Sequence, residues 1–454
     1  MKQKSGIHRI GLVSPCSGNL GNAAIMSSMV ANIRLRIPDA EIVGITLSPE
    51  DTRRRHGIDT FPITGASHGD YHLVCDGSRD GTQQQSSRQF GVLREWLKGI
   101  GPIRASVRGL RAVWSEVAHG FKSARLVRRL DRVIISGGGA LDDFWGGPWG
   151  HPWTLLKFAL LSRIFGVPFL FVSVGKCSLD HRLSRFFVRR ALSMAQYRSY
   201  RDFDSKAAVQ AIFPSPADPV CPDLAYRYAG PEVRESSGRA ARSNRLRVAV
   251  SPICFCDPRV WPLKDEQRYL RYVRELAGMV EWLIEQGCGL LFFTTDEPDA
   301  ETTRDLMKLL AAGSVDTRTV RVLPSPGEQT TEGLLSALQD VDLVVASRLH
   351  GVILSHLIAK PTLAISYDPK IDTHMKEIEQ TEYCVSIDHF DSTVLIERFI
   401  ALRDARERES IHLARAVEHY SELVGLQYDL LFGGMDPASH VDGMEGLSVA
   451  QERL

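Results

Sequence analysis

Two successive series of short apolar runs alternating with helical periodicity, parted by one polar stretch, constrain this chain more than any other feature. In the first half "HRIGLVSP", "EIVGITL", "RVIIS" and "PFLFVSV" read as strands, with helical spacing over 22–36, 152–165 and 180–194 between or after them. Residues 229–245, "AGPEVRESSGRAARSNR", are polar and poor in bulky apolar side chains, which marks a linker. The alternation then restarts with "LRVAVSP", "GLLFFTT", "VRVLP", "DLVVAS", "TLAISY" and "YCVSI", separated by helical patterns at 265–286, 298–312, 329–339 and near 350–359. Strands joined through helices pair in parallel, so each series predicts its own α/β sheet. The expected organisation is a domain over 1–230, a linker at 231–245 and a second domain over 246–400. A helical pattern running from about 391 supplies a C-terminal helix at 401–432, and the tail 433–454 reads as disordered. Residues 76–120 fit least well, and "DGSRDGTQQQSSRQF" reads as a flexible insertion.

Composition narrows the function classes. At 454 residues the chain is long for one core, in keeping with two domains. A formal net charge of +1 gives no global reason to expect nucleic acid, so anion binding must come from local clusters. The eight cysteines are scattered and form no C-x-x-C pattern; Cys254-Phe-Cys256 is their closest pair. They read as small buried residues of a reducing compartment, and no metal site is expected. "MKQKSGIHRIGLVSP" shows no secretory h-region. The longest apolar stretch, "WTLLKFALLSRIFGVPFLFVSVG", carries Lys157 and Arg163 and breaks at Gly166 and Pro168, so it reads as helix, turn and strand. A cytoplasmic location is expected.

In a parallel α/β sheet, ligands bind beyond the carboxyl ends of the strands. Four stretches fall at such ends. In "PCSGNLGNAAI", Gly18 and Gly21 permit a tight turn and close ligand approach, while Asn19 or Asn22 caps the next helix; a plain βα turn explains the same residues. In "SGGGALDDFWGG", Gly137, Gly138 and Gly139 leave a bare backbone with Asp142 and Asp143 close behind, which favours a ligand contact over a solvated glycine turn. The remaining two lie in "ASRLHGVILSHLIAKPTLAISYDPK". If "DLVVAS" and "TLAISY" are adjacent parallel strands, Arg348 and His350 leave one strand end and Lys370 the next by the same edge. They then converge on one anion: Arg348 as a bidentate fork, Lys370 as a point charge, His350 as a proton carrier. Taken singly, Arg348 reads as a surface ion pair, His350 as an interface histidine and His356 as a helix-face residue.

One further pattern stands apart. Over 103–133, Arg104, Arg108, Arg111, Lys122, Arg125, Arg129 and Arg132 recur at helical spacing beside Val107, Leu110, Trp114, Val117 and Phe121. A core-packed helix with a solvated face explains it, and so does a peripheral contact with a membrane surface.

Taken together, "GNLGNAAIMSSMVANIRLRIPDAEIVGIT", "VIISGGGALDD", "SYRDFDS" and the Arg-Leu-His to Tyr-Asp-Pro-Lys segment resemble the polysaccharide pyruvyl transferase family, over roughly residues 8–390. The resemblance implies a GT-B-like α/β fold, two Rossmann-type parallel-sheet domains around a central cleft. It also implies transfer of a pyruvyl group from phosphoenolpyruvate to two hydroxyls of a nucleotide- or lipid-linked saccharide, giving a ketal and phosphate during cell-surface polysaccharide synthesis, with no cofactor and no metal. On that basis His350 is the general acid, Arg348 and Lys370 hold the donor, and Arg201 and Tyr367 are further substrate contacts. Asn22 stands where many relatives carry an aspartate. Asparagine is no base, so Asp142 or Asp143 is expected to take that role, or the activity differs. Two other functions share the pattern: a GT-B-type glycosyltransferase using a sugar nucleotide, and a non-catalytic binding or scaffold protein.

Overall fold

The computed structural model of the chain describes residues 9–14, 18–65, 101–144, 146–176, 179–215, 217–228, 245–313 and 320–433. Two six-stranded sheets form its frame, and the strands of each pair in parallel. The first contains β1 (Arg9–Ser14), β2 (Glu41–Thr46), β3 (Asp59–Pro62), β4 (Arg132–Ser136), β5 (Phe169–Val174) and β6 (Tyr197–Tyr200), in the order β3-β2-β1-β4-β5-β6. The second contains β7 (Arg247–Ser251), β8 (Gly289–Phe292), β9 (Val320–Val322), β10 (Leu343–Ala346), β11 (Thr362–Ser366) and β12 (Cys384–Ser386), in the order β12-β11-β10-β7-β8-β9. Each order reverses beside its first strand, which opens a crevice at the carboxyl ends of β1 and β4, and of β7 and β10.

Helices cover these sheets. The first domain carries α1 (Leu20–Arg36), α2 (Pro49–His56), α3 (Gly101–Val127), α4 (His151–Phe165), α5 (Arg182–Met194) and α6 (Phe203–Gln210). The second carries α7 (Glu266–Glu285), α8 (Asp299–Ala312), α9 (Thr331–Gln339), α10 (Leu349–Leu357), α11 (Pro369–Glu377) and α12 (Ser392–Phe432). Central strands such as β5, buried at every position, are covered on both faces and so lack the apolar-polar alternation of a half-exposed strand. Helix ends follow local chemistry. Asp265 caps α7 by accepting from the Arg268 amide, Asp391 caps α12 by accepting from the Val394 amide, and left-handed Gly166 stops α4.

The expected boundary at residue 400 does not hold. α12 is one helix of 41 residues that begins at Ser392, because no glycine or proline interrupts its periodicity before Gly425. Its first half packs Leu395, Phe399 and Leu402 into the second domain's core. Its last turns belong to the first domain: Gln427 donates to Ser173 Oγ at 2.9 Å, and Tyr428 shares a hydrogen bond with Ser28 Oγ at 3.2 Å. One helix thus ties the two sheets together.

Other expectations shift locally. Residues 101–120, placed in the flexible insertion, form most of α3, and residues 76–100 lie outside the described residues. The basic helix stops at Val127 rather than 133, and Arg132 opens β4. The linker, apart from Arg245, and residues 434–454 of the tail also lie outside. Among the described residues, no helix is long and apolar enough to cross a membrane.

Candidate active site

The two domains meet where α1 begins. Gly18, at φ +66°, turns the chain so that the Leu20 amide donates to Thr295 O at 2.8 Å beyond β8, while Asn19 and Asp296 pair as an antiparallel bridge. Asn19 is the α1 cap, its carboxamide oxygen accepting from the amides of Gly21 and Asn22 at 3.0 and 3.1 Å. Gly21 has a different task. A Cβ there would stand 1.9 Å from His350 Cγ, so only a bare backbone leaves room for that imidazole.

His350 reaches this position as expected. β10 and β11 pair in parallel, Arg348 caps α10 directly after β10, and Lys370 opens α11 directly after β11, so all three leave one sheet edge. They do not all aim at one point. Arg348 donates from Nε and Nη2 to the two oxygens of Asp299, each at 2.8 Å, with Nη1 3.5 Å from Asp296 and the guanidinium over Trp261. It is engaged by carboxylates on the α8 side of the cleft. Lys370 Nζ lies 3.4 Å from Asp368 and 5.2 Å above the Tyr367 ring, which packs against Trp261 and Phe255.

A cavity of about 300 Å³ opens beside His350, lined by Arg201, Asp223, Lys370, His374 and Glu377 among others. His350 borders it through Asp223: its Nε2 is 3.9 Å from Asp223 Oδ2, and neither atom has a hydrogen-bond partner in the protein. Arg201, the expected donor contact, is in place. Its guanidinium lies flat against Gly175, where a Cβ would stand 2.7 Å away, with Nη1 3.7 Å from Asp223 and Nε donating to Asp202 at 3.2 Å.

The glycine run after β4 packs against α1 and does not line this cavity. Gly137 and Gly138 take φ +54° and +64°, and a Cβ on Gly138 would touch Asn22 Oδ1 at 3.0 Å; Gly139 completes the turn. Asn22 itself lines a separate small chamber of the first domain with Ser14, Asp51 and Arg55. Asp142 and Asp143 are not brought to His350's cavity. Asp142 accepts from the Phe144 amide at 2.9 Å, and Asp143 accepts from the Asp180 and His181 amides at 3.2 and 3.1 Å. Both close loops.

Burial sets the protonation states. It drives His350 down to about 4, against the partial support of Asp223 and reinforced by Arg201 and Lys370, so the protein alone holds the imidazole neutral at pH 7. That differs from the expected protonated acid, because the nearby carboxylate is outweighed by desolvation and neighbouring cations. Burial likewise lowers His374 to about 4; its Nε2 faces both the Tyr226 hydroxyl at 3.3 Å and His356 Nδ1 at 3.2 Å. Burial and then the Asp202 charge raise Glu377 to about 7. Burial also raises Asp296 to about 6.

Sequence reasoning missed Asp223, His374 and Glu377. The signal for two of them was present: Asp368 caps α11, Pro369 occupies its first turn, and Lys370, His374 and Glu377 then recur at helical spacing on one face. Asp223 had a weaker one, a Pro-Asp pair opening the short turn Leu224–Arg227, where it accepts from the Ala225 amide. No cluster of His, Cys, Asp and Glu able to hold a metal is found among the described residues.

Two Rossmann-like sheets with a cleft between them define a GT-B-type α/β protein, and solved structures agree. The chain is similar to Staphylococcus aureus MnaA solved with UDP, at 10% identity and TM-score 0.54 over 94% of this chain and 98% of that one. A glycosyltransferase from Rickettsia africae matches at 9% identity and TM-score 0.53, over 98% of each chain. A putative UDP-N-acetylglucosamine 2-epimerase from Listeria monocytogenes matches at 10% identity and TM-score 0.54, over 95% and 98%. No curated protein sequence matches significantly. The family model described as polysaccharide pyruvyl transferase matches residues 19–369, and the chain belongs to that family, whose members are transferases.

Proposed function

We propose that the enzyme moves a pyruvyl group from phosphoenolpyruvate to two hydroxyls of a saccharide, forming a cyclic ketal and releasing phosphate. The observation that supports this reading is the cavity that offers Arg201 and Lys370 to a small polyanion, with the His350 imidazole next to its lining residue Asp223. The carboxylate and phosphate of the donor meet these two cations. Arg348, held by Asp299, fixes the start of α10, whose first turn carries His350.

The chemistry follows in order. His350, charged once the donor's anions enter, gives its proton to the methylene carbon, which becomes a methyl group and leaves the central carbon electrophilic. A saccharide hydroxyl forms a C–O bond to that carbon and loses its proton. Asp223, whose buried Oδ2 accepts no hydrogen bond within the protein, is placed to accept it, the role expected of Asp142 or Asp143. The bond to phosphate then breaks, and the second hydroxyl closes the ketal with loss of its own proton. A saccharide linked to a nucleotide or a lipid, approached from the first domain, is the acceptor this reading carries, and the cytoplasm is the compartment.

Phosphate release from phosphoenolpyruvate with candidate saccharides tests the proposal. Release that requires the saccharide and falls at least ~100-fold in His350→Ala is expected from loss of a general acid. Unchanged release in that variant overturns the mechanism. Thermal shifts separate the glycosyltransferase reading, since phosphoenolpyruvate rather than a sugar nucleotide should raise the melting point.

A further inference from the structure

The outer surface of the first domain combines two properties that a solvated face does not need together. On α3, Glu116, His119 and Ser123 turn inward: Glu116 accepts from Lys157 Nζ at 2.6 Å, and His119 Nε2 lies 2.8 Å from Pro62 O. The opposite stripe holds Trp114, Val117 and Phe121 at spacings of three and four, and Trp114 and Phe121 are 76% and 71% exposed. α4 packs beside α3, and α5 beside α4. α4 turns Leu160, Ile164 and Phe165 outward, with Ile164 69% exposed, and α5 turns Phe186 outward. Isolated surface hydrophobics are ordinary, but apolar side chains recurring on three neighbouring helices are not.

The charge on these helices has one sign. α3, α4 and α5 contain a single acidic residue, Glu116, and Lys157 neutralises it. Lys122, Arg125, Arg163, Arg182, Arg189 and Arg190 are exposed on the same three helices. The whole chain carries a net charge of only +1, so positive charge is concentrated here. In the second domain, by contrast, α7 and α8 carry both signs, seven acidic side chains against Arg268, Arg271, Arg274, Arg304 and Lys308.

We propose that the α3–α4–α5 face is a docking surface for an anionic phospholipid bilayer. Trp114, Phe121 and Ile164 enter the headgroup boundary, and the exposed lysine and arginine side chains of these helices meet the lipid phosphates. An apolar partner protein would require no charge segregation, and a soluble polyanion would require no exposed tryptophan or phenylalanine. The combination fits a charged surface with an apolar layer beneath it. The inference rests on the surface alone and stands or falls separately from the chemistry at His350.

Sedimentation of the full chain with phospholipid vesicles tests it. Binding to vesicles of phosphatidylcholine with phosphatidylglycerol, weak binding to phosphatidylcholine alone, and release by salt are expected. Trp114→Ser with Phe121→Ser, and separately Lys122→Glu with Arg125→Glu, should each lower partitioning by more than about tenfold. Circular dichroism melts matching the wild type, and an unchanged phosphoenolpyruvate thermal shift, confirm that both variants are folded with an intact cleft. Equal binding to both vesicle types, or variants that bind like the wild type, overturn the proposal. So does a wild-type dimer that Trp114→Ser with Phe121→Ser converts to monomer, because a second copy would then cover the face.

Discussion

Phosphoenolpyruvate binding should draw a proton onto His350, and the size of the effect follows from the site. Burial pushes the His350 imidazole down to about 4, and Arg201 and Lys370 add to the effect. Holding it charged at pH 7.5 requires moving that value by about 3.5 units, or about 5 kcal/mol at 1.36 kcal/mol per unit. A unit negative charge about 4 Å away contributes about 4 kcal/mol at an effective dielectric constant of 20, and one about 6 Å away contributes about 3 kcal/mol. A carboxylate and a phosphate together therefore exceed the requirement. Titration calorimetry at pH 7.5 in two buffers of different ionisation enthalpy reads the uptake directly. Glu377, at about 7, lines the same cavity and takes up part of a proton as well, so the decisive quantity is the difference from His350→Gln. Wild type should take up about one proton more than the variant. Equal uptake in the two proteins would refute the assignment of His350 as the group that charges on donor binding.

Gly21→Ala drives a methyl into the His350 ring at the domain seam, and overpacking there should cost about 1–3 kcal/mol; a lowered melting point with kcat reduced at least ~100-fold is expected by thermal melting and phosphate release, and a variant that keeps both wild-type values contradicts the close packing of Gly21 on His350. Gly175→Ala presses on the Arg201 guanidinium and should raise the KM for phosphoenolpyruvate more than it lowers kcat. Asp299→Ala leaves Arg348 buried without its bidentate partner and should cost about 3–5 kcal/mol in urea denaturation; a loss below about 1 kcal/mol contradicts the geometry. His56, His119, His350, His356 and His374 all have folded values depressed below 6.5, so the unfolded chain binds more protons and the stability they supply is lost as pH falls from 6.5 toward 4. Asp296 and Glu377, raised to about 6 and about 7, act oppositely, their contribution being lost as pH rises through those values. Five groups outweigh two, and the urea midpoint should be lower at pH 5.5 than at pH 7.5.

The fold was readable because parallel sheets write themselves plainly: buried strands are short apolar runs, and crossovers impose helical spacing between them. β3 and β6 escaped because they are edge strands of four residues, "DTFP" and "YRSY", too short and too polar for that signal. α2, "PEDTRRRH", escaped for a related reason, burying only Thr52. The site was legible to the level of strand ends and no further. Strand order fixes that Arg348, His350 and Lys370 leave one edge, but side-chain direction depends on partners distant in sequence. Asp299 captures Arg348 from 49 residues away, and Asp223 meets His350 from the other domain. Asp142 and Asp143 read as ligand contacts by nearness to a glycine run, and as a base only through the family resemblance, whereas backbone amides at 144, 180 and 181 bond to them.

His350 draws its properties from both domains, and this explains why the connecting helix matters. Gly21, Arg201 and Asp223 come from the first domain; His350, Lys370, His374 and Glu377 come from the second. A shift of one sheet against the other by a fraction of an ångström changes the His350–Asp223 separation and the contact of the ring with Gly21, and with them the balance of desolvation and charge that sets the proton. Loops alone would hold such a seam loosely. α12 holds it more firmly, packing Phe399 and Leu402 in the second core while Gln427 and Tyr428 hydrogen-bond to Ser173 and Ser28 in the first. The buried polar ring around Gln427, in which Tyr197 and Ser199 donate to its Oε1 at 3.0 and 2.6 Å, fixes the register of that last turn, since a slip along the helix would leave these groups unpaired. Gln427 thus fixes how the last turns of α12 sit against β5 and β6 of the first sheet.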